Sequence, residues 1–84
     1  HAGESCWQGK PRCNDFSIGV ELEGSDTTPF ADIQYATLVV VTQALQKTYL
    51  ITHIAGHSDI AAGRKTDPGP CFDWGRYRVA LLGP

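Results

Sequence analysis

Eighty-four residues make one small domain and exclude a second, and a chain of this size hides only about 60% of the surface it exposes when unfolded. A composition of 42% hydrophobic and 19% charged residues belongs to a folded soluble domain and excludes a disordered one. Seven Lys and Arg against nine Asp and Glu give a net charge of −2, so there is no basic field to hold a nucleic acid or an anionic membrane surface.

Residues 1–14, HAGESCWQGKPRCN, mix glycine, proline and polar residues without a period and read as loop. Residues 16–23, FSIGVELE, alternate strictly: Phe16, Ile18, Val20 and Leu22 fall on one face, Ser17, Gly19, Glu21 and Glu23 on the other. That is the period of a half-buried strand. After a turn at 24–28, Thr28 followed by Pro29 supplies an N-cap and a first helical residue, and predicts a helix over about 29–49. Its apolar stripe runs through Phe30, Ile33, Ala36, Val40, Ala44 and Tyr49, widened by Leu38, Val41 and Leu45. The run from Ala36 to Val41, broken by Thr37, falls far short of the roughly 20 apolar residues that cross a bilayer. Leu50, Ile51, Ile54 and Ala55 form a short apolar run leading back toward the sheet. Residues 56–70, GHSDIAAGRKTDPGP, read as a loop dense in ionisable groups, and a short helix follows over about 72–82.

The chain contains no methionine and begins at His1, so it reads as a processed or excised piece of a longer product, and the lack of a signal peptide carries no information on location. Cys6, Cys13 and Cys71 stand at no metal-ligand spacing. They are read as free thiols, or one bridge and a spare, which favours a reducing compartment.

The chemistry concentrates in the 56–70 loop. His57 and Asp67, ten residues apart with glycine between them, can turn back to one point, and both are zinc ligands by type. A hydrogen-bonded turn is the commoner outcome for such a pair, and a catalytic zinc needs a third protein ligand. Glu21, on the second face of the predicted strand, reads either as a general base toward a metal-bound water or as part of a solvated face beside Glu23. Lys65 reads either as the stabiliser of an oxyanion or as an exposed loop lysine paired with Asp59 or Asp67.

The strings HAGESCW, NDFSIGVELEG and GHSDIAAGRKTDPGPCFDW, in this order and spread over nearly the whole chain, closely resemble the AmpD-type amidases of the type 2 N-acetylmuramoyl-L-alanine amidase family. The resemblance implies an α/β fold: part of the type 2 amidase fold, with a mixed sheet holding the 16–23 strand, a long core helix and a short C-terminal helix. It further implies zinc held by His57 and Asp67, Glu21 activating the water, and Lys65 stabilising the developing oxyanion. The reaction would be hydrolysis of the amide between the lactyl group of N-acetylmuramic or 1,6-anhydromuramic acid and the L-alanine of the stem peptide, in cytoplasmic cell-wall recycling. Arg12 and Asn14 lie where the family's substrate groove runs, a guanidinium there being suited to a stem-peptide carboxylate. His1 heads the HAG motif that borders the groove.

In the family a histidine upstream of the HAG motif supplies the remaining ligand, and neither His1 nor His53 matches that position. Residues 1–84 are therefore expected to be a partial amidase domain lacking upstream strands and a helix, poor in zinc binding and inactive alone. Its uncovered sheet edge would be free to pair with a second copy. The alternative reading is a muropeptide- or peptidoglycan-binding module that does not cut; the simultaneous presence of Glu21, Lys65, His57 and Asp67 argues for the enzyme.

Overall fold

Phe72 is the hub around which the helices assemble. Its ring stacks on Tyr35 at 5.4 Å between centroids and meets Phe30, Trp74 and Tyr77 edge-on at 5.6, 4.9 and 5.8 Å. These are the separations that aromatic quadrupoles favour. Leu22, Leu38, Val39 and Leu81 close the cluster. The computed structural model describes residues 1–82, and its two main helices, α1 (Asp32–Thr48) and α3 (Trp74–Leu82), pack on each other through this core. No helix among the described residues is long and apolar enough to cross a membrane.

Helix α1 starts three residues later than the Thr28-Pro29 signal predicts. Phe30 is drawn into the core, and Gln34 closes the first turn instead: its Oε1 accepts the Ala31 N–H at 2.8 Å while its Nε2 donates to the Glu23 carbonyl at 2.6 Å. That reciprocal bond is half of a capping box. The buried stripe also differs from the expected one. Phe30 and Leu38 pack on the core as expected, but Ile33 and Val40 are 71% and 65% exposed, whereas Tyr35, Val39 and Thr42 face inward. Thr42 is polar but satisfied, with its hydroxyl 2.6 Å from the Tyr77 hydroxyl of α3. On the rim, Arg76 lies over the Tyr35 ring at 4.3 Å and pairs with Asp32 at 2.8 Å.

Helix α3 begins at Trp74, two residues beyond the expected start, because Asp73 caps it by accepting the Arg76 N–H at 3.0 Å. The Asp73 N–H in turn donates to the Tyr35 hydroxyl at 2.9 Å.

The fold is α/β as expected, but its sheet lies elsewhere. The predicted strand over 16–23 makes no ladder among the described residues, since no neighbouring segment offers it a hydrogen-bonding edge. Only Leu22 of its apolar face reaches the core; Phe16, Ile18 and Val20 stay half-exposed. No mixed sheet forms among these residues. The sheet is an antiparallel hairpin inside the stretch read as loop: β1 (Cys6–Trp7) pairs with β2 (Lys10–Pro11), Trp7 opposite Lys10. Gln8 and Gly9 both take positive φ, 50° and 81°, the twist that a two-residue hairpin turn requires. A 3-10 turn, Cys13–Asp15, follows. The loop at 56–70 also contains one helical turn, α2 (His57–Ile60), resting against β1.

Candidate metal centre

Helix α2 sets His57 at its first position, and the loop behind it returns to the same point. The Arg64 and Lys65 N–H groups both donate to the Ala61 carbonyl at 3.0 Å, turning the chain, and Ser58 N–H donates to the Asp67 carbonyl at 2.9 Å. These backbone bonds bring Asp67 Oδ2 to 3.0 Å from His57 Nδ1. The histidine side chain is 10% exposed and the carboxylate 52%, so the pair opens to solvent on the aspartate side.

The far side of the imidazole decides its protonation pattern. His57 Nε2 lies 2.9 Å from the Ala2 carbonyl, which can only accept, so Nε2 carries a hydrogen. In a neutral ring Nδ1 is then a bare lone pair facing a carboxylate oxygen. Two acceptors at this distance repel unless a proton or a cation lies with them.

A third donor stands beside the pair. The His1 ring meets His57 edge-on, 5.5 Å between centroids at 67°, and sits over Gly19, where an added Cβ would fall 2.6 Å from His1 Nδ1. One ligand atom each from His1, His57 and Asp67 lie within 4.8 Å of one another. Zinc bonds of about 2.0–2.1 Å in a tetrahedron separate neighbouring donors by about 3.3 Å, so two nitrogens and a carboxylate in this span fit Zn2+ in kind and size.

The remaining expected site residues, Glu21, Lys65, Asn14 and Arg12, are all exposed. Glu21 lies two residues beyond the Gly19 that underlies His1, and Lys65 two residues before Asp67. Asn14 ties down the start of the chain: its Oδ1 accepts the Ala2 N–H at 2.7 Å and lies 3.1 Å from His1 N. Arg12 adopts a left-handed backbone, φ 57°, and projects an exposed guanidinium 3.6 Å from Asp15. His53 lies apart, edge-on to Trp7 at 5.5 Å.

A family model described as N-acetylmuramoyl-L-alanine amidase matches residues 1–70. The chain belongs to this amidase family. It is similar to the 1,6-anhydro-N-acetylmuramyl-L-alanine amidase AmpD of Enterobacter cloacae, 61% identical over 83 residues that cover 96% of this chain and 44% of that protein. The AmpD of Escherichia coli K12 is 58% identical, over 96% of this chain and 45% of its own length. A solved crystal structure of a Se-Met AmpD derivative superposes with a TM-score of 0.93 at 54% identity, covering 96% of this chain and 46% of that one. This amidase-family chain thus spans a little under half the length of these relatives.

Three contributors to the centre escape a reading of the amidase motifs residue by residue. His1 is 56 positions from His57, and nothing in its spacing announces the contact. The Ala2 carbonyl is a backbone atom, identical in every residue. Arg64 stands in the dense loop string, but only the fold shows its target, the peptide carbonyls of Ala2 and Glu4.

Proposed function

We propose that this chain carries the catalytic face of a zinc-dependent amidase that hydrolyses the amide between the lactyl group of N-acetylmuramic acid, in its 1,6-anhydro form, and the L-alanine of the stem peptide, in cell-wall recycling. The observation that carries the reading is the convergence of His57 Nδ1 and the Asp67 carboxylate, 3.0 Å apart, with His1 beside them. The family match and the names of the relatives supply the bond and the substrate class.

His57 and Asp67 would hold the metal, with His1 the third donor within reach. A bound zinc ion supplies Lewis acidity, polarising the amide carbonyl and making water a better acid. Glu21 takes a proton from the attacking water as the new C–O bond forms, and delivers it to the alanine nitrogen as the C–N bond breaks. The Lys65 ammonium faces the negative charge that collects on the carbonyl oxygen between those two events. The exposed Arg12 guanidinium suits a stem-peptide carboxylate, and Asn14 contributes to the groove by holding the HAG segment in place. The free thiols of Cys6, Cys13 and Cys71 are consistent with a reducing compartment, and the cytoplasm is the proposed location.

The test is zinc-supplemented protein joined to an upstream segment that supplies the family's further histidine ligand, incubated with an anhydromuropeptide, with released stem peptide followed by mass spectrometry; residues 1–84 alone are expected to release none. Peptide beginning at L-alanine is expected from the joined protein. Binding of the muropeptide by the joined protein with no release would overturn the enzyme reading in favour of a binding module.

A further inference from the structure

The Ala2 carbonyl that receives the His57 Nε2–H has a second donor. Arg64 Nη2 reaches it at 2.7 Å and also reaches the Glu4 carbonyl at 2.9 Å, where Arg64 Nε adds a bond of 3.2 Å. One guanidinium therefore grips both ends of the peptide turn at Gly3. Two features show that the turn is shaped for it: Gly3 takes φ +64°, and a Cβ there would stand 2.8 Å from Arg64 Nη2. The turn is fixed from behind as well. Ser5 Oγ donates to the Gly3 carbonyl at 3.0 Å and accepts the Cys13 N–H at 3.0 Å, and Ala2 itself is buried.

We propose that Arg64 is a positioning residue for His57: by anchoring the Ala2 carbonyl it fixes the acceptor that His57 Nε2 faces, and so the ring orientation that presents Nδ1 beside Asp67 Oδ2. Among the described residues Arg64 hydrogen-bonds Ala2 and Glu4 rather than a member of the donor group. It acts through a backbone oxygen, the kind of outer contact that orients a metal-binding histidine. A guanidinium suits the task because its planar fork reaches two carbonyls at once, which the single ammonium of a lysine cannot reproduce. The inference rests on the reading of His57 as a ligand.

Two measurements on Arg64→Ala, Arg64→Lys and Gly3→Ala test it. The first is the position of the His57 ring hydrogen in zinc-loaded, 15N-labelled protein, read from long-range 1H–15N correlations. The second is zinc affinity by competition with a chromophoric chelator. The parent protein should show the Nε2–H form. Arg64→Ala and Gly3→Ala should give a mixture of tautomers and bind zinc about 10- to 100-fold more weakly, with Arg64→Lys recovering part of both. Should Arg64→Ala fold poorly, Arg64→Lys and Gly3→Ala carry the same comparison. An unchanged tautomer and unchanged zinc affinity in folded variants would overturn the role of Arg64. Zinc affinity unchanged in His57→Ala would instead overturn the ligand reading, and the two failures are separable.

Discussion

Asn14 Oδ1 accepts the N–H of Ala2 at 2.7 Å, so a side chain just past the hairpin holds the HAG segment, whose Ala2 carbonyl meets His57. The bond is partly buried and twelve residues apart in sequence, and losing the acceptor strands a backbone donor. Asn14→Ala should cost about 1–3 kcal/mol in urea unfolding, whereas Asn14→Asp, which keeps an acceptor oxygen, should cost less. Equal losses in both variants would place the contribution of Asn14 elsewhere.

Zinc content after dialysis reads the donor group directly. Removing either His57 or Asp67 takes away one of the proposed ligands, so His57→Ala and Asp67→Ala should both hold less zinc than the unaltered chain. Unchanged occupancy in Asp67→Ala would remove that carboxylate from the set.

Turnover separates the two proposed catalytic side chains from the ligands. Glu21→Gln keeps the shape of the residue but not its basicity, and should lower kcat about 10^2- to 10^4-fold with zinc content unchanged. Lys65→Ala should lower kcat about 10^2- to 10^3-fold, with a smaller change in KM, if its ammonium meets charge that develops only during reaction. A rise in KM alone would make Lys65 a substrate contact.

The buried bond between Thr42 and Tyr77 has a direction. Thr42 Oγ1 spends its one hydrogen on the Leu38 carbonyl at 2.7 Å, so the Tyr77 hydroxyl is the donor in the 2.6 Å contact between them. Tyr77→Phe leaves threonine satisfied and should cost about 1 kcal/mol. Thr42→Val strands a buried phenol donor and should cost more, up to about 3 kcal/mol. Thermal unfolding of the two variants checks the order, and the reverse order would refute the assigned direction.

The parts of the molecule legible in the sequence are those set by local chemistry. Both long helices were expected within three residues of their observed ends, because caps, proline and turn glycines act on their near neighbours. His57 and Asp67 were legible as a pair because ten residues of turn-forming loop join them. The hairpin at 6–11 was missed because its turn is Gln8-Gly9 rather than the stronger Asn-Gly signal.

Long-range contacts decided the rest. Alternation over 16–23 describes a chain ready to pair, but a strand exists only where another segment supplies the complementary N–H and C=O groups. The period of α1 shows that one side is apolar, yet Thr42 faces inward and Val40 outward because Tyr77, 35 residues away, offers a buried hydroxyl. The type of each donor in the metal centre is written in the amino acids. Their orientation depends on the Ala2 carbonyl, whose position no local pattern encodes, since it is set by the Arg64 and Asn14 contacts that form only when the two ends of the chain meet.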